Sequence, residues 1–451
     1  MVRWQALQRA RWSPILEGEL RERARAAVAE TVSLVRGQRG GTPSVALGLA
    51  GFALLLMEAS RAQPRLASPR DVERMVARLL PRVEALPLSP GLHEGYTGVG
   101  LTLELIRRAG FARVDGAEAL DRALLASIER FDAVPPTHAH LDLISGLAGQ
   151  ALYACARLPR IRARRSLEAI VGWLDRRAVA AAGGATWLSP PRPHARADQL
   201  PGSVFDLGIA HGVPGILAAL ARILEAGIAV PTTRRLLEAG TRWLLQQAHD
   251  RAGPAFDTYA PSDPAADRGA AFPPMPSRLG WCYGDPGVAA ALLATARVLD
   301  DGRPRATAMA ILRRIAAIRS DPTVQDASLC HGTAGLLHIF NRIYQATGEP
   351  AARDAAIHWA ERTLVLRAGP HAIAGDPPPD GSPSHPLRFL VGAAGSALAL
   401  LAAASPTIPR WDALLLLDLL PATAGSAADP RRAKRHPARR TAGNSGHRQI
   451  T

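Results

Sequence analysis

The chain has 451 residues, 47% hydrophobic and 21% charged, with a formal net charge of +15. This composition excludes a wholly disordered chain and supplies ample apolar material for a large core. No stretch reaches the roughly 18 uninterrupted apolar residues of a membrane span, and the N-terminus, MVRWQALQRARWSPILE, lacks the apolar centre of a secretory signal.

In chain order, one pattern recurs seven times: glycine, two residues, glycine, then an apolar run. The copies are GLAGFALLL from Gly48, GYTGVGLTL from Gly95, GLAGQALYA from Gly146, GVPGILAAL from Gly212, GDPGVAAALL from Gly284, GTAGLLHIF from Gly332 and GAAGSALAL from Gly392. The second glycines lie 47 to 72 residues apart, room for two helices and their loops. Each apolar run predicts a helix buried on nearly all sides. Between the copies lie Arg-rich amphipathic segments, Asp71–Leu86, Asp115–Phe131, Arg164–Arg177, Thr232–His249, Arg303–Ile318 and Ala351–Leu366, which suit an outer layer. Strand signals are scarce.

Helical hairpins of this kind cannot bury their apolar faces singly, and closing them into a ring solves that problem. The expected fold is all-α, a double-layered α/α toroid of about seven hairpins. Inner-helix N-termini would then share one end, where free N–H groups and partial positive charge favour an active-site mouth. The toroid is expected over residues 1–420, with a basic, solvated tail over 421–451. Three long breaks rich in Pro, Gly and Asp, Gly183–Ser203, Arg251–Ser277 and Gly369–Leu387, are either walls of the mouth or plain exposed insertions.

The positive charge does not point to nucleic acid. Of 54 basic residues only Lys434 is a lysine, and seven of the positive charges fall in Pro430–Thr451, which has no acid. None of the glycine motifs contains G-K-[ST] or follows a predicted strand, which argues against nucleotide binding. Three cysteines are too few for a disulfide scaffold, and a cytoplasmic protein is the simplest expectation.

Two copies differ from the rest. Cys282 and Cys330 each stand five residues before a second glycine, and His331 follows at once. Two thiols and an imidazole in one register, at one end of the ring, form a soft N/S set suited to zinc, with a fourth position open. The plainer alternative is a pair of small buried cysteines. His211 holds the register of His331 and is a candidate general acid or base; Asp142 could orient it or simply cap a helix. Cys155 reads as core, His338 as packed on an inner helix, and His93-Glu94 as part of the rim.

The ordered set Asp142-Leu143-Ile144-Ser145-Gly146, Ala210-His211-Gly212-Val213-Pro214-Gly215, Arg278-Leu279-Gly280-Trp281-Cys282-Tyr283-Gly284 and Leu329-Cys330-His331-Gly332 resembles the lanthionine synthetase C-like family, the lanthipeptide cyclases, over about Gly40 to Leu420. The resemblance implies one Zn2+ per chain, held by Cys282, Cys330 and His331, with His211, Asp142, Arg278 and Tyr283 around it. It implies a precursor peptide whose Ser/Thr residues a partner dehydratase has already dehydrated, and thioether rings as the product. A complex with that dehydratase and an exporter, and through them a place at the membrane surface, is a further expectation. Two rivals stand beside it: a non-catalytic zinc- or thiol-binding scaffold, and another zinc-thiol alkylating enzyme on the same toroid, such as a prenyltransferase subunit. The family motifs do not account for the basic tail.

Overall fold

A computed structural model describes residues 11–111, 117–131, 141–189, 204–250, 253–262, 275–368 and 386–419. Fourteen α-helices dominate these residues. Seven form an inner ring: α2 (Leu49–Ala62), α4 (Tyr96–Arg108), α6 (Leu147–Arg157), α8 (Val213–Glu225), α10 (Asp285–Ala296), α12 (Thr333–Thr347) and α14 (Ala393–Ala404). Each packs on the next, and α14 packs on α2, so the ring is closed. Seven more lie outside: α1 (Gly18–Gly37), α3 (Pro69–Ala85), α5 (Ala117–Glu129), α7 (Ile161–Arg177), α9 (Val230–Leu245), α11 (Arg303–Ala316) and α13 (Pro350–Ala368). This is the expected toroid. None of the described helices is long and apolar enough to cross a membrane.

The glycine pairs explain the inner ring. The first glycine of every pair is the N-cap of an inner helix. A methyl group on any second glycine would collide with the carbonyl oxygen six residues earlier, so the loop can fold back onto the first helical turn only where the side chain is absent. The folded-back loops are joined in a circle. Ala46 N–H donates to His93 O, His93 to Ile144 O, Leu143 to Ala210 O, Ala210 to Cys282 O, Cys282 to Cys330 O, Cys330 to Leu390 O, and Phe389 back to Ala46 O, at 2.8–3.3 Å. The seven accepting residues all stand five positions before their second glycine, so the register seen in the sequence is a ring of backbone hydrogen bonds at one end of the barrel.

The structure adds three features to this plan. The seventh outer helix is α1, which packs against α14 and closes the outer layer with the N-terminal end of the chain. Trp12 Nε1–H donates to Ala402 O, and Ile15 and Leu16 N–H donate to Ala403 O, fixing this seam. Two antiparallel ribbons occur within and beside the long breaks: β1 (Val179–Ala181) with β2 (Gly184–Thr186), and β3 (Val204–Asp206) with β4 (Tyr259–Pro261). Three residues are too few to show an alternating pattern in sequence. The remainder of the breaks lies largely outside the described residues, as does the tail at 421–451.

The third feature fills the barrel axis. Residues 408–419, including the 3-10 turn Trp411–Leu415, run between the inner helices and are mostly buried. Arg410 and Trp411 N–H donate to Glu58 on α2, Arg342 on α12 pairs with Asp412, and Arg222 on α8 pairs with Asp418. Helices on three sides of the ring thus grip one segment, which places it on the axis.

Candidate metal centre

Four neighbouring loops of the hydrogen-bonded ring carry the expected site residues in order: Asp142, His211, Cys282-Tyr283 and Cys330-His331. Trp281 and Cys282 N–H both donate to Cys330 O, which staples the two cysteine loops together. The Cys282 loop needs a second device. Its N-cap, Gly284, has φ +132°, whereas the other six N-cap glycines are extended with negative φ. Only glycine adopts that conformation readily.

The ligand atoms of Cys282, Cys330 and His331 lie within 4.8 Å of one another, the one such group of metal-binding side chains among the described residues. Cys282 is buried and the other two are half-buried. A hydrogen bond from the Cys330 thiol lowers the pKa of the Cys282 thiol well below its ordinary value; burial opposes this, while His331 and Arg278 reinforce it. Cys330, as the donor, is pushed up. Burial works against a charged His331, but hydrogen bonds to Asp326 and Cys282 prevail and raise its pKa to about 9. Geometry and charge thus draw protons away from Cys282 and toward Cys330 and His331.

The donor set fits zinc. Bond lengths of about 2.3 Å to sulfur and 2.0–2.1 Å to nitrogen put tetrahedral ligand atoms about 3.5–3.8 Å apart, compatible with the observed cluster. Asp326 Oδ2 lies 3.4 Å from His331 Nε2, which leaves Nδ1 for a metal and supplies the carboxylate partner common behind histidine ligands.

Beside the cluster, Asp142 is almost completely buried. Its Oδ1 accepts N–H donations from Ser145 at 2.6 Å and Gly146 at 2.8 Å, and its Oδ2 lies 2.8 Å from His211 Nδ1. Asp142 therefore both caps its loop and orients His211, joining the two roles left open by the sequence. The carboxylate holds the ring proton on Nδ1 and makes Nε2 the basic nitrogen. Tyr283 packs with its ring centroid 6.0 Å from that of His211, and its hydroxyl donates to Asp206 Oδ2 at 2.8 Å. Arg278 is exposed, and its charge acts on both cysteines.

Two positions depart from the sequence reading. His93 does not line the rim: it is fully buried, with Nε2 3.1 Å from Leu414 O, and only Glu94 is exposed. Cys155 is half-buried and lines a cavity of about 320 Å³ near the C-terminal ends of α4, α6 and α8. His338 packs inside as expected, with Nε2 2.9 Å from Asp412 Oδ2. Sequence reasoning missed Asp206 and Asp326. Both stand six residues before the first glycine of their copies, so the register that exposed the cysteines also marks them.

Comparison with known proteins now bears on this arrangement. The family model described as lanthionine synthetase C-like protein matches residues 41–416. The chain belongs to the lanthionine synthetase C-like family. A search of curated protein sequences returns no match. Among solved structures the chain is similar to nisin cyclase, with a TM-score of 0.70 and 17% identity over 89% of this chain and 98% of that one. At that identity the likeness shows the fold. Family model and fold agree over nearly the same span of the chain.

Proposed function

We propose that the chain is a zinc-dependent peptide cyclase that adds cysteine thiols of a precursor peptide across its dehydroalanine or dehydrobutyrine residues, forming lanthionine and methyllanthionine rings. The observation that carries this reading is the Cys282, Cys330, His331 cluster beside the His211–Asp142 pair at the hydrogen-bonded end of the toroid. Cys282 and Cys330 would hold zinc through Sγ and His331 through Nδ1. Bound zinc supplies a Lewis acid that keeps the incoming peptide sulfur deprotonated at neutral pH, where a free thiol of pKa near 8.5 is mostly protonated.

The chain's own residues handle the rest. The sulfur forms its bond to the β-carbon, and the electrons of the double bond move onto the α-carbon and its carbonyl oxygen. His211 Nε2 accepts the thiol proton and delivers one to the α-carbon, so the addition balances without another reactant. Asp142 keeps Nε2 in the proton-accepting tautomer and steadies the imidazolium. Arg278 is suited to the enolate oxygen, and Tyr283, held by Asp206, fixes the wall beside His211. The dehydro residues must come from a preceding elimination of water from Ser and Thr.

The filled barrel axis argues against the prenyltransferase alternative, which needs a wide lipid cavity; among the described residues Trp411, Asp412 and Leu414–Leu417 occupy that space. The test is metal analysis together with loss of free thiols on a dehydrated peptide. About one zinc per chain and ring formation above the uncatalysed rate are expected. Absence of zinc from protein purified without chelators, or thiols left untouched by zinc-loaded protein, overturns the proposal.

A further inference from the structure

The axial segment at 408–419 reaches the metal-binding loops from beneath. Trp281 Nε1–H donates to Leu415 O at 3.0 Å, and His93 Nε2 lies 3.1 Å from Leu414 O, all within buried surroundings. The two side chains belong to loops on opposite sides of the ring. They meet above the segment, with ring centroids 6.2 Å apart, and Phe389 completes this floor 6.3 Å from His93. Trp281 directly precedes Cys282, and its own backbone N–H donates to Cys330 O. One residue therefore ties both cysteine loops to the barrel axis.

We propose that residues 411–419 are a positioning element for the metal centre, acting through Trp281 and His93, whose side-chain N–H groups are fixed by two successive backbone carbonyls of the segment. Two features separate this from simple core filling. An inert filler would present an apolar face to the floor; this one presents consecutive carbonyls, and both find side-chain donors rather than helix partners. The segment is also held by charge. Asp412 accepts from Arg342 Nε at 2.5 Å and Nη2 at 3.1 Å and pairs with His338, while Arg342 also donates to Pro409 O and Leu419 O. Buried ion pairs contribute little net stability against apolar packing but fix geometry, which suits a part whose work is to hold two carbonyls in place. Trp281 and His93 are thus positioning residues standing behind the ligand loops, one step further from the ligands than the direct hydrogen-bond partners whose loss typically costs about 10–100-fold in metal affinity.

The inference rests on reading the Cys/Cys/His cluster as a metal site, so the experiment separates the two. Full-length protein is compared with Trp281→Phe, which keeps an aromatic ring and removes the N–H, and with His93→Phe and His93→Gln. Zinc affinity is measured by competition with a chromogenic chelator, and Cys282 reactivity toward an aromatic disulfide reagent is measured on metal-free protein. Trp281→Phe and His93→Phe are expected to weaken zinc binding by about tenfold or more and to speed thiol modification, while His93→Gln, which restores a donor near the Nε2 position, recovers wild-type behaviour. Catalysis should lose kcat with KM nearly constant, because neither side chain touches peptide. A purely structural role would lower the melting temperature and leave the affinity of the folded fraction unchanged, and that result overturns the inference. Should Trp281→Phe fail to fold, the two His93 variants decide: equal zinc affinity in both refutes it. A wild-type chain without zinc affinity refutes the metal reading itself.

Discussion

Replacing Asp142 by Asn tests the orientation of His211 without deleting a side chain. Asp142 Oδ1 faces two backbone donors, Ser145 and Gly146 N–H, and Oδ2 faces His211 Nδ1. An amide has one oxygen and one NH2 to place. Turning the NH2 toward the backbone would set donors against donors and leave two buried N–H groups unpaired, at about 1–3 kcal/mol each. The oxygen therefore stays on the backbone, and the NH2 points at Nδ1. Nδ1 must then accept, so the ring proton moves to Nε2, and the nitrogen that should take the thiol proton already carries one. General acid–base catalysis is worth about 10²–10⁴-fold, or roughly 3–5 kcal/mol of barrier, and Asp142→Asn should lose most of it. Folding should suffer far less, because both backbone hydrogen bonds survive with a neutral acceptor. The assay is the rate of free-thiol loss on a dehydrated peptide, with zinc content and thermal unfolding as controls. A variant that folds, holds zinc and cyclises at the wild-type rate would refute the assignment of His211.

Cys282→Ala and Cys330→Ala should each abolish stoichiometric zinc, read by metal analysis, while circular dichroism shows the helical shell intact. Gly284→Ala forces a side chain into φ +132° and against Arg278 O. It should therefore displace the Cys282 loop and lower zinc affinity, read by competition with a chromogenic chelator. Burial pulls the pKa of His93 down to about 4, against about 6.5 in an unfolded chain. Between those values the unfolded chain binds a proton that the folded one refuses. The share of the stability set by His93 is accordingly complete above pH 6.5 and falls by about 3 kcal/mol as the pH drops toward 4. Urea midpoints across that range should show a smaller slope in His93→Phe, the residual coming partly from His338, which burial also pulls down; parallel slopes in the two proteins would contradict this.

The inner ring and the metal cluster were legible because one backbone manoeuvre is repeated seven times and leaves a glycine pair each time. Wherever the loop folds back, a Cβ is forbidden, and the residue five positions earlier must enter the hydrogen-bonded circle. That rule carried Cys282 and Cys330, and His211 one position further on, to one end of the barrel without any knowledge of packing. It failed at His93, which shares the cysteine register but has a longer side chain that reaches down to Leu414 instead of out to the rim. The outer helix α1 was missed because it precedes the first glycine pair, so no copy frames it. The axial segment was invisible for a different reason: its partners, Glu58, Arg222, His338 and Arg342, are scattered over three inner helices, and only the closed ring brings them to one line. Asp206 and Asp326 carry a regular spacing, yet their partners, Tyr283 and His331, become apparent only once the loops are stacked.

The closure of the outer layer by α1 also sets the order in which this molecule can be completed on the ribosome. The seam bond between Trp12 and Ala402 spans 390 positions. At roughly 5–20 residues per second, the first helix leaves the exit tunnel about 20–80 seconds before its partner is made. Throughout that interval the buried face of Val28, Val32 and Val35 has helix α2 beside it but lacks α13 and α14. The nascent arc is thus an unfinished circle, and α14, translated late, supplies the main cover of its leading edge.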